Sequence, residues 1–172
     1  RSEAGRSQWL QAALRFAGLA ALLASTACAT RTAAVDQRLI LPDGAARYEL
    51  AANQASVFPV PRDNVPPVFP DGYDRHDLSP TTLWASLVVD AGGGVRDVAL
   101  LGDAGCVAGA TQPQLGAAVL DAVASWHFDP AMFCDYPDEA TRNRDWNGVG
   151  CAGAVAEARP VAVTLAYAFT FE

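Results

Sequence analysis

The chain has 172 residues, 51% of them hydrophobic, and a formal net charge of −7, which fits one domain with extra segments and enough apolar material for a core. Its twelve basic residues are all arginines, and the acidic balance excludes both the basic footprint of a nucleic-acid binder and attraction to anionic lipid. None of the four cysteines forms a Cys-x-x-Cys pair, so spacing gives no zinc site.

Residues 1–27 read as a signal peptide. Arg15 is followed by an apolar run from Phe16 to Ala27, which suits a secretory core and falls short of the ~20 residues a spanning helix needs. Ser25-Thr-Ala-Cys28 resembles a bacterial lipobox, with Ser25 where leucine is usual. Processing there makes Cys28 the lipidated first residue, and Ala29 after it is compatible with outer-membrane sorting. Plain cleavage near Ala27 or Ala29 and an uncleaved anchor are the other readings.

Residues 28–65 read as a tether or a small hairpin. Arg38–Leu41 and Ala46–Leu50 flank Pro42-Asp-Gly44, a sequence that supplies turn conformations. Val57–Pro61 and Val65–Pro70 are spaced by prolines and predict extended backbone. Asp71, Asp74, His76 and Asp77 form an acidic cluster with one histidine. They match no ligand spacing and lack the calcium-loop pattern, so the segment reads as a solvated loop.

The strongest pattern begins at Leu83. Leu83, Ala85, Leu87 and Val89 alternate with Trp84, Ser86, Val88 and Asp90; Ala91-Gly-Gly-Gly94 and the apolar run Val95–Leu101 follow. Strand, glycine turn and strand predict a β-hairpin. Thr111-Gln-Pro-Gln114 predicts a helix start, with Thr111 as the cap and Gln114 at the capping-box position. Leu115, Ala118, Val119, Ala122, Val123 and Trp126 then recur at helical spacing, and Phe128-Asp-Pro130 ends the run.

Residues 131–159 carry Cys134 and Cys151 in a connection too long to lack a staple or a function. In an exported protein a Cys134–Cys151 bridge is the favoured pairing, worth about 3 kcal/mol by loop entropy. A pair involving Cys106, or no bridge, are the alternatives. The chain closes on the clearest strand. Val161, Val163, Leu165, Tyr167, Phe169 and Phe171 share one face; Ala162, Thr164, Ala166, Ala168 and Thr170 share the other.

Four pieces in this order, Pro66-Pro-Val-Phe-Pro70, the Gly92–Val95 hairpin, the helix ending in Trp126-His-Phe-Asp-Pro130 and the strand from Pro160, resemble the C-terminal domain of the TonB energy-transducer family. The resemblance covers roughly residues 66–172. It implies an α+β domain, a three-stranded antiparallel sheet with one main helix over Leu115–Trp126, and a short first helix at most. It also implies that the last strand is an exposed edge, along which an envelope protein such as a TonB-dependent outer-membrane receptor adds a strand. The partner-binding residues are then Ala162, Thr164, Ala166, Ala168 and Thr170. Tyr167, Phe169 and Phe171 are expected to meet Leu115, Val119, Val123 and Trp126 in the core.

The function expected is therefore a periplasm-facing, lipid-anchored binding module, without enzymatic activity, metal or cofactor. Homodimers by strand exchange are compatible with such an edge. An inner-membrane-anchored energy transducer and a structural envelope lipoprotein are the alternatives. The long Pro-rich, Lys/Glu-rich spacer of TonB proteins proper has no counterpart here.

Overall fold

The computed structural model describes residues 34–40, 49–75, 79–102 and 112–172. Cys28, the 1–27 segment, His76, Asp77, Cys106 and Thr111 therefore lie outside the described residues, as does most of the Pro42-Asp-Gly44 turn region. The described chain is α+β and every strand pairing is antiparallel. In order it forms β1 (Val35–Ile40), β2 (Gln54–Val57), β3 (Val60–Asp63), β4 (Thr81–Val89) and β5 (Val95–Leu101). There follow α1 (Pro113–Ala124), β6 (His127–Asp129), β7 (Ala131–Asp135), α2 (Glu139–Asp145), β8 (Glu157–Val161) and β9 (Val163–Phe171).

The predicted hairpin is β4 and β5. Burial along β4 alternates without a break, with Thr81, Leu83, Ala85, Leu87 and Val89 buried. This is what a strand with one face on a core requires. Its turn is held by Asp90, whose carboxylate accepts from the amides of Gly92 at 2.8 Å and Gly94 at 3.0 Å. Gly93 adopts φ +85°, and its carbonyl accepts from the Phe128 amide at 2.9 Å. A register shift opposite Ser86–Val88 and the positive φ of Asp97 mark a bulge in β5.

Helix α1 begins with Pro113 at its first turn, after Gln112, with no side-chain cap. Proline suits that position because its missing amide would be unpaired there anyway. Gln112 holds the cap position, and the expected Thr111 cap lies outside the described residues. The helix does not reach Trp126: it ends at Ala124, and His127–Asp129 continue as β6. Trp126 nevertheless lands in the core, 1% exposed, with Tyr167 edge-on at 5.0 Å and Phe169 at 5.8 Å. Leu115, Val119 and Val123 of α1 join Leu83, Leu87, Phe169 and Phe171 in that cluster. Each such side chain contributes about 1.5–3 kcal/mol on full burial.

The main sheet has four strands in the order β1-β9-β4-β5. The three strands legible in the sequence are neighbours in it, and β1 is an addition. The described part of the N-terminal segment is no tether, because β1, β2 and β3 pair with β9, β7 and β6 respectively. The turn and most of the second strand of the hairpin expected within 38–50 lie outside the described residues; β1 pairs with the far end of the chain, and Glu49 and Leu50 are not strand.

The segment 131–159 builds a small lobe together with β2. Strands β2-β7-β8 make a second sheet, and Cys134 is bonded to Cys151 across a separation of 17 residues. Cys134, Tyr136 and Ala55 form a separate buried cluster backed by Trp146 and Val155. Asp138 caps α2 by accepting from the Thr141 amide at 2.7 Å.

Candidate strand-addition edge

The expected binding residues fall on or beside β9. Ala162 separates β8 from β9, and Thr164, Ala166, Ala168 and Thr170 lie within β9. On one side β9 pairs with β4 over its whole length, from Val163 opposite Val89 to Phe171 opposite Thr81. Thr170 and Thr82 also share a hydroxyl hydrogen bond of 2.9 Å.

The other side is not open. β1 pairs there from Val35 opposite Phe171 to Ile40 opposite Ala166, which overturns the expectation of an exposed last strand. The reason is physical: an unpaired strand edge leaves a row of amides and carbonyls without partners, and the chain's own N-terminal strand satisfies them. Ala166 and Ala168 are consequently buried, each 2% exposed.

The hydrogen-bonding phase of this pairing can be read from its end. Ala34 and Glu172 exchange both backbone bonds, at 3.2 and 3.3 Å. In an antiparallel ladder such pairs recur at every second residue. Asp36–Thr170, Arg38–Ala168 and Ile40–Ala166 are thus the bonded pairs. The backbone groups of Ala166, Ala168 and Thr170, three of the residues expected to bind a partner, face β1.

Opposed residues share a sheet face, so Val35, Gln37 and Leu39 lie on the core side with Phe171, Phe169 and Tyr167. Of these three, only Val35 packs against the core cluster. Leu39 is 42% exposed. Gln37 donates to the Asn64 carbonyl at 2.7 Å, while its Oε1 is buried with no hydrogen-bond partner among the described residues. The pairing of β1 with β9 is the part of this site that sequence reasoning missed. A short strand is expected at Arg38–Leu41, but against Ala46–Leu50, and the alternation Val35, Gln37, Leu39 that extends it is broken by a glutamine on the inner face.

A second concave surface lies between residues 65–71 and α1. It is an open groove of about 710 Å³ lined by Pro66, Val68 and Phe69 on one wall and Ala118, Asp121 and Ala122 on the other. The Trp126 indole N–H donates to the Val65 carbonyl at 2.9 Å and fixes the near end of that wall. Of the acidic cluster in the sequence, Asp71 lines this groove.

No family model, curated protein or solved structure matches this chain.

Proposed function

We propose that the chain is a periplasm-facing protein-binding module, similar in use to the TonB C-terminal domain and anchored through a lipid on Cys28. It binds an extended segment of an envelope protein, of the TonB-dependent receptor kind, by antiparallel strand addition along β9. The observation that carries this reading is the β1–β9 pairing, in which β9 takes a six-residue strand with one side chain packed into the core. An edge that holds a strand through its backbone accepts many sequences, as strand-addition sites do.

The test is a titration of the full chain with receptor-derived extended peptides, followed by amide chemical shifts. Saturable binding with shifts centred on Ala166–Thr170 is the expected result. Absence of binding by correctly folded protein sinks the reading. The anchor is tested separately by the intact mass of the protein from outer-membrane fractions, where diacylglyceryl or triacyl mass on Cys28 is expected. A structural envelope lipoprotein is the second reading, and the specific observation in its favour is that β1 already fills the edge.

A further inference from the structure

We propose that β1 is a replaceable strand. It is an internal occupant of the β9 edge, and the partner that the edge fits is an extended segment carrying the β1 pattern in its place. The partner's identity as an envelope protein rests on the strand-addition reading above; the exchange of β1 does not.

Two observations carry it. The first is how little β1 packs. None of its six residues is buried, against five of nine in β4 on the other side of β9. β1 is therefore held chiefly by main-chain bonds, which any incoming strand can reproduce. The second is Gln37, a polar residue placed opposite Phe169 on the core face, whose Oε1 is buried without a partner among the described residues. A buried acceptor left unpaired opposes the seating of the strand that carries it.

The β1 register also writes the partner's pattern. A β-branched apolar residue is favoured opposite Phe171, where Val35 packs. An apolar residue opposite Phe169 should bind better than the glutamine there now. The positions opposite Thr170 and Ala168, held by Asp36 and Arg38, point away from the core and tolerate charge.

Two substitutions push the equilibrium in opposite directions. Arg38→Pro removes the amide that faces Ala168 and loosens β1. Gln37→Val removes the unpaired acceptor and supplies a strand-favouring side chain, tightening it. The probe is a capped peptide with the sequence of residues 34–40, titrated into the full chain and both variants by fluorescence anisotropy. Apparent affinity scales with the fraction of molecules whose edge is open, so it should fall in the order Arg38→Pro, wild type, Gln37→Val, with at least about tenfold between the extremes.

Equal affinity in all three chains, or no binding to an Arg38→Pro chain with native tryptophan fluorescence, overturns the proposal. If Arg38→Pro does not fold, amide exchange of the wild type decides. Arg38 and Ile40 should exchange at least about a hundredfold faster than Leu87, and equal protection refutes a replaceable β1. Receptor-derived peptides separate the two readings. Binding of the β1 peptide alone supports exchange and counts against the receptor. Binding of a receptor peptide with equal strength to all three chains supports a receptor and overturns exchange.

Discussion

At the scale of single residues, two side-chain decisions hold the core to the turn above it. Gly93 is one. A Cβ placed there would sit 2.0 Å from the Phe128 carbonyl oxygen, in a backbone with φ +85°. Gly72 is a built-in control, with φ +72° and nothing within 4 Å of its notional Cβ. Gly72→Ala should cost about 1–2 kcal/mol, the left-handed backbone alone. Gly93→Ala adds a backbone collision that no rotamer relieves and should cost more than about 4 kcal/mol. Urea denaturation of the two variants measures the difference. Trp126 is the other decision, since its ring fills the core while its N–H reaches the Val65 carbonyl. Trp126→Phe keeps an aromatic ring but loses that bond and some volume, and should cost about 2 kcal/mol by the same measurement.

At the scale of elements, the loop that closes the small lobe depends on one carboxylate. Asp145 pairs with Arg144 and accepts from the Ala154 amide at 2.8 Å. The Arg144 guanidinium, ahead of the Ala154 amide, holds its carboxyl down at about 2. A carboxyl whose folded pKa is depressed stabilises the fold above its unfolded value of about 4 and loses that contribution as pH falls through the folded one. Protection of the Ala154 amide, corrected for intrinsic exchange, should be flat above about pH 4 and fall between about 4 and 2. Asp145→Asn should abolish most of that dependence. Protection that stays flat to pH 2 in the wild type would remove Asp145 from this role.

The elements also differ in how legible they were. β4 stands out because it buries one face, and period-two alternation records that directly. β5, with no buried residue, is legible as an apolar run after the glycine turn, and β9, buried on both faces from Leu165 to Phe169, through its alternation of large and small side chains. The helix was found but overrun. Trp126 keeps helical spacing with Val123 although the chain has already turned at Ser125, and a spacing rule cannot see that turn. β3 contains Pro61, β8 contains Pro160 and β1 carries Gln37 inward. Each is a strand defined by its pairing partner rather than by its own pattern. The open edge expected for β9 failed for that reason: local sequence shows what a strand buries and not which distant segment lies beside it.

At the scale of the whole molecule, the described chain contains two buried clusters of unequal size, thirteen residues around α1 and three around the disulfide. The connections between them are short: Pro130 joins β6 to β7, and Ala162 joins β8 to β9. Closing the 17-residue separation between Cys134 and Cys151 contributes about 3 kcal/mol, which is comparable to what three buried residues supply and small beside the main core. Replacing both cysteines, as Cys134→Ala with Cys151→Ala, should therefore act locally. Amides of β7 and β8 should exchange through partial opening, while those of β4 and β9 still require global unfolding. Trp126 and Trp146, one in each cluster, give the same answer by fluorescence during thermal unfolding of variants that keep only one of the chain's four tryptophans, with the Trp146 transition moving to lower temperature ahead of Trp126. A single coincident transition would mean that the short connections couple the lobes, and that the disulfide stabilises the β9 sheet as well as its own loop.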